Sequence, residues 1–153
     1  MNRITIALLL FIALVMSSCT TSKSVVSQHV DLSKYKYASV INNDTYHIPN
    51  ELMQYEIMLF DAVQESRLQL VNEYRIEDLT PDEQAQLLLV KYGVEVEYAQ
   101  TVVTVNFIDF LTGRPVASCR GAYGSLSISE TADIKGAIRE VAKQVAITFP
   151  KRN

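Results

Sequence analysis

The sequence has little of what usually indicates a specific chemistry. Its 153 residues include no Trp, two His and two Cys, and 14 Lys and Arg stand against 17 Asp and Glu. Because no run of basic residues occurs, the chain lacks the positive footprint with which proteins displace counterions from phosphates. Five Gly and four Pro are too few for a collagen-like or low-complexity chain. The composition predicts one globular domain and argues against nucleic acid as a partner.

Motifs of known enzymes are also absent. The sequence contains no G-x-S-x-G, H-E-x-x-H, Walker, G-x-G-x-x-G or C-x-x-C pattern. Asp44, His47 and Glu51 are possible metal ligands, but their spacing matches no zinc pattern, so a solvated loop before a helix is the preferred interpretation. Glu95 and Glu97 stand about 7 Å apart on one strand face. They alternate with Val, as on the wet face of a strand, and we predict no catalytic residue, metal or cofactor.

The N-terminus carries an export signal. Arg3 precedes an almost wholly apolar run, residues 4–16, which spans only about 20 Å as a helix. That is short of the roughly 30 Å hydrocarbon core of a bilayer, and small residues follow it, so a signal peptide is predicted.

The run Met16-Ser17-Ser18-Cys19 resembles the lipobox of bacterial lipoproteins. The resemblance implies cleavage between Ser18 and Cys19 and acyl chains on Cys19 that anchor the protein to a membrane. Cleavage by the general signal peptidase, which would release a soluble protein, is the alternative. Because Thr20 and not Asp follows Cys19, resemblance to enterobacterial sorting implies the outer membrane. No acidic cluster follows the cysteine, unlike the surface-export signal of some Bacteroidetes lipoproteins, so we expect the domain to face the periplasm.

The remaining sequence predicts a single α+β domain. We expect a signal peptide over residues 1–18, a lipidated flexible tether over 19–31 and the domain over 32–153. Strands are predicted at 35–41, 87–98, 101–110 and 116–123, with a possible short strand near Tyr74. Helices are predicted from Asn50 for about twenty residues and from Ser129 or Thr131 to Phe149, with a short one after Thr80. The expected fold is a two-layer sandwich, a mostly antiparallel sheet of about four strands covered by two long helices.

Two groups of residues stand out within this domain. Met53, Ile57 and Phe60 form a second apolar stripe on the first long helix, either a widened core face or a partner surface. Asp109, Thr112 and Gly113 are predicted to shape a tight turn, with Gly113 at positive φ. Cys119, the one cysteine outside the lipobox, is expected to be buried and inert.

Residues 106–116 (NFIDFLTGRPV) resemble the D-x-x-T-G hairpin of several envelope lipoproteins. Similar groups are the curli-secretion lipoproteins, the lipoprotein activators of penicillin-binding proteins and small envelope lipoproteins of Bacteroidetes. The resemblance implies a binding or scaffolding role. We therefore expect a module that binds another envelope protein. A module for a small ligand or glycan is the alternative, and a hydrolase ranks third.

Replacing Cys19 with Ala tests the predicted anchor. The variant should leave the membrane fraction or accumulate as uncleaved precursor, because it has no thiol for the acyl chains. Cell fractionation and gel migration report the outcome. A variant that fractionates and migrates like the parent contradicts lipidation.

Overall fold

A computed structural model describes residues 22–41, 53–97, 100–124 and 130–151. Within these ranges the strands are β1 (Lys23–Val26), β2 (Tyr37–Val40), β3 (Gln69–Leu70), β4 (Leu87–Glu97), β5 (Gln100–Asp109) and β6 (Pro115–Tyr123). The α-helices are α1 (Met53–Gln64), α2 (Pro81–Gln84) and α3 (Glu130–Thr148), with 3₁₀ turns at Leu32–Lys34 and Glu73–Asp78. None of the described helices has the length and apolar character that a membrane span requires.

The strands form one mixed sheet in the order β1-β6-β5-β4-β2-β3. The pairs β1–β6, β6–β5 and β5–β4 are antiparallel, whereas β2 pairs in parallel with both β4 and β3. Alternate residues of the central strands face α1 and α3 and form the core with them. On β5 these residues include Val103, Val105 and Phe107.

The α+β class is confirmed, but the predicted four strands are two too few. β1 lies inside the segment that we expected to be a flexible tether, and its residues pair with β6 from Lys23↔Arg120 to Val26↔Ala117. β3 has only two residues, and the predicted strand near Tyr74 is a 3₁₀ turn. These short segments lack a local periodic pattern, and it is pairing with distant strands that makes β1 and β3 strands.

The first long helix ends earlier than predicted. α1 stops at Gln64, where the Ser66 hydroxyl donates to the Val63 carbonyl at 2.6 Å and accepts from the Leu68 amide at 3.1 Å. A serine that bonds to nearby backbone in this way competes with helical hydrogen bonds. The predicted cap, Asn50, lies outside the described residues.

Predictions from local patterns are confirmed at several positions. Thr80 and Glu83 form the capping box at the start of α2. β5 and β6 form the expected hairpin, and Gly113 in its turn has a φ of 66°. The predicted strands β4 and β5 pair in an unbroken register from Leu88↔Asp109 to Glu97↔Gln100.

Small residues allow α3 to lie very close to the sheet. A methyl group on Gly121 of β6 would stand 2.3 Å from the Val141 nitrogen and 2.4 Å from the Ala137 oxygen. On the helix side, a methyl group on Gly136 would meet the Tyr123 ring at 2.3 Å. At Gly121 the α3–β6 contact is therefore made between backbones, and this glycine cannot be enlarged without moving the helix. At Gly136 it is the Tyr123 ring that occupies the space of a side chain.

The substitution Gly121→Ala should lower the free energy of unfolding by about 1–3 kcal/mol, because α3 must shift outward. Gly93→Ala is the matched control, since a methyl group there has no atom within 4 Å. The control should change stability by about 0.5 kcal/mol or less. Urea unfolding of both variants measures the difference, and equal stabilities would contradict the close packing.

Candidate functional site

The chain enters the sheet close to the predicted lipidation residue. Ser18 and Cys19 lie outside the described residues, as do Asp44, His47 and Glu51. The Ser22 hydroxyl accepts a hydrogen bond from the Ala122 amide at 3.4 Å, and β1 starts at the next residue. Four peptide steps separate Cys19 from Lys23, a reach of about 14 Å at most. Within the predicted tether, residues 19–31, the part from Lys23 to Val26 is therefore a paired strand and not a flexible segment.

The apolar stripe on α1 faces solvent. Met53 is 53% exposed, Ile57 60% and Phe60 36%. The buried side of the helix consists of Tyr55, Leu59, Ala62 and Val63. At about 100° per residue, the centres of the two sides lie about 140° apart around the helix. A widened core face is therefore wrong for Met53 and Ile57, and Phe60 is the least exposed of the three.

Two valines that the sequence analysis missed add to this exposed apolar surface. Val94 is 42% exposed and Val96 56%. They continue β4 beyond Tyr92, whose hydroxyl contacts Glu56 of α1 at 3.3 Å. Alternation with Glu is typical of a strand with one buried face, but both valines are exposed because β4 extends past the part of the sheet that the helices cover. We call Met53, Ile57, Phe60, Val94 and Val96 the apolar surface.

A second cluster is centred on the Asp109 carboxylate, which is buried at the end of β5. Its Oδ1 accepts from the Thr112 amide at 2.8 Å and from the Thr112 hydroxyl at 2.9 Å. Its Oδ2 accepts from the Tyr35 hydroxyl at 2.7 Å and from Lys34 Nζ at 3.1 Å. The turn role predicted for Asp109 and Thr112 is present, and the bonds to Lys34 and Tyr35 extend it across the sheet.

These bonds determine how Asp109 titrates. Burial alone raises the pKa of the Asp109 carboxyl, but the donors from Tyr35, Thr112 and Lys34 outweigh it and lower the pKa to about 2. Burial, followed by the bond to Asp109, raises the pKa of Tyr35. The cluster is thus an ionised carboxylate held by neutral hydroxyl and amide donors and one ammonium. Such an arrangement stabilises a turn.

The other candidate residues lie apart from one another. Glu95 and Glu97 are exposed on β4. The Glu97 carboxylate accepts a hydrogen bond from the side-chain amide of Gln100 at 2.8 Å. Among the described residues no three His, Cys, Asp or Glu side chains group as metal ligands do. Cys119 is buried as predicted, and burial raises the pKa of its thiol.

Comparison with known proteins adds information on the fold. No protein-family model matches the chain, and no curated protein sequence matches it. A PelC dodecamer from Paraburkholderia phytofirmans is 17% identical, with a TM-score of 0.54 over 87% of this chain and 99% of PelC. A point variant of the same PelC, also a dodecamer, is 15% identical, with a TM-score of 0.54 over 87% of this chain and 99% of the variant. A PDZ domain protein from Parabacteroides distasonis is 12% identical, with a TM-score of 0.55. The match covers 87% of this chain and 36% of the PDZ domain protein. At these identities the matches establish a shared fold alone.

Asp109→Asn should lower the free energy of unfolding at pH 7 by about 2–3 kcal/mol, because an amide cannot accept from all four donors. The folded-state pKa of Asp109 is depressed, so its contribution is complete above about pH 4 and is lost as pH falls toward 2. The stability gap between parent and variant should close by about 2 kcal/mol over this range.

Denaturant unfolding between pH 7 and pH 2 measures that gap. Asp78→Asn is the control, since its carboxylate forms only an exposed ion pair with Arg75. Removing that pair should cost under about 1 kcal/mol at every pH. Parallel pH curves for the parent and Asp109→Asn would contradict the assigned role.

Proposed function

We propose that this protein is an outer-membrane lipoprotein, anchored through acyl chains on Cys19, whose periplasmic α+β domain binds other proteins of the cell envelope. The anchor is supported by the apolar run of residues 4–16 and by the lipobox-like sequence that ends at Cys19. Two or more acyl chains make such an anchor stable.

The apolar surface is the observation that carries the binding proposal. Monomeric soluble domains seldom group large apolar side chains on a solvent face without a partner. Methionine and phenylalanine are typical of protein interfaces, and methionine adapts its shape to a partner. Since α1 already buries its opposite side in the core, burial within the domain does not account for the stripe. We infer that a second protein covers it.

The nature of the partner is suggested by the structural neighbours. Two chains with the same fold are PelC dodecamers, so this fold is compatible with self-association. A second copy of this chain is therefore the first partner to test, and a different envelope protein is the second.

A photo-crosslinking amino acid at position 57 tests the proposal in intact cells. We expect adducts, identified by mass spectrometry as a second copy or as another envelope protein. The same amino acid at position 147 is the control, because Ile147 is also an exposed isoleucine, 68% accessible, on a different helix. Adducts at 57 alone support a specific surface, whereas equal or absent adducts contradict it.

Ile57→Lys and Ile147→Lys form the matching pair of substitutions. Both should fold, since surface substitutions usually change stability by about 0.5 kcal/mol or less. Only Ile57→Lys should lose the crosslinked species, because a charged side chain would be buried without a pair in the interface. Light scattering of the purified lipoprotein distinguishes loss of self-association from loss of a different partner. An Ile57→Lys protein that keeps its partners would overturn the proposal.

A further inference from the structure

A basic cleft lies at the end of the sheet where β2 begins. It is open to solvent, has a volume of about 470 Å³ and is lined by Ser33, Lys36, Ser66, Arg67 and Lys151. These residues come from three separate parts of the chain: the segment before β2, the turn after α1 and the segment after α3. Its size is that of a small-molecule site, commonly about 300–1,000 Å³. Among the described residues that line it, none is acidic.

Arg67 is the fixed cation of the cleft. Its guanidinium donates to the backbone carbonyls of Tyr35 and Leu32 and lies 5.6 Å from the centre of the Phe149 ring. Its backbone amide donates to the Phe149 carbonyl at 3.1 Å. A side chain held in this way is preorganised, so little further ordering is needed when a ligand arrives.

Two ammonium groups complete the positive lining. Lys36 and Lys151 are exposed, and within the described part of the chain neither side chain forms an ion pair or a hydrogen bond. Lys34, by contrast, is paired with Asp109. Three cationic side chains therefore line one cleft. Its two lysine ammonium groups are available to donate to a bound anion.

We propose that this cleft binds a phosphate group carried by a small molecule. A tetrahedral dianion can accept from several donors at once, and charge-assisted bonds from Arg and Lys are the strongest that proteins offer it. The cleft has room for more than a single phosphate, so it can accept a phosphate group that is part of a larger molecule. This site is separate from the apolar surface and adds a function to the protein binding proposed above.

The position of the cleft indicates where the phosphate comes from. Followed through the strand pairings, Lys23 of β1 stands level with Gly93 of β4. Tyr37, beside the cleft, pairs with Leu87, which lies six residues earlier on β4. That is about 20 Å along the strands, and four strand spacings add about 19 Å across the sheet. The cleft thus lies roughly 25–30 Å from the point where the chain enters, at the opposite corner. The anchor segment reaches at most about 14 Å. A domain that stands upright on its anchor holds the cleft beyond the headgroups, whereas a domain that lies on the bilayer does not. Resting on the proposed anchor and on the upright orientation, we assign the phosphate to a soluble periplasmic molecule, and nanodiscs with anionic lipid distinguish it from a headgroup.

Titration of the full mature lipoprotein in phosphatidylcholine nanodiscs tests the site, with inorganic phosphate and inorganic pyrophosphate as probes. Calorimetry should show saturable binding. Lys36→Gln with Lys151→Gln should weaken it about tenfold or more, because two charge-assisted contacts are lost. The control is Lys23→Gln with Lys91→Gln, which removes the same charge from exposed lysines outside the cleft and should leave affinity within about twofold.

Absence of saturable binding, or equal weakening in the control, overturns the site. A second set of nanodiscs containing phosphatidylglycerol distinguishes the sources. Unchanged affinity supports a soluble ligand, whereas competition by the anionic lipid overturns that assignment. Failure of the proposed anchor is separately visible as a protein that lacks acyl chains by mass spectrometry.

Discussion

The domain depends on the buried carboxylate of Asp109. It ends β5 and organises the turn into β6 through Thr112, and it also receives the hydroxyl of Tyr35, 74 residues away. Burying a carboxylate costs free energy, and only a full set of donors repays that cost. Since Lys34 and Tyr35 directly precede β2, the same four bonds hold the parallel part of the sheet against the antiparallel hairpin.

The backbone contact between β6 and α3 has a consequence for α1. With Gly121 and Gly136 allowing α3 to lie close to the sheet, α3 covers β5 and β6 and packs beside α1. The core then needs only one side of α1, the side that carries Tyr55, Leu59 and Val63. The apolar residues on its other side are left in solvent, as are Val94 and Val96 where β4 extends beyond the helices.

The sequence predicted those features that depend on neighbouring residues. Alternation identified β4 to β6, Thr80 and Glu83 identified a capping box, and the turn chemistry identified Gly113. Features that depend on distant residues were missed. β1 and β3 are too short to show a pattern, and nothing local to Asp109 indicates that Tyr35 is its partner. The cleft was missed for the same reason, because Lys36, Arg67 and Lys151 converge only in the folded chain. The stripe on α1 was recognised, but periodicity alone does not distinguish an outer apolar face from a wide core.

The two proposed surfaces lie at opposite ends of the sheet. α1 connects two parallel strands, so it runs back along the sheet, and Met53 at its start lies near the far end of β4. The basic cleft lies beside the end of α1, at Ser66 and Arg67. Sites so far apart, with no shared side chain, are expected to act independently. A partner on the apolar surface therefore leaves the cleft open, and if that partner is a second copy, each copy keeps its own cleft.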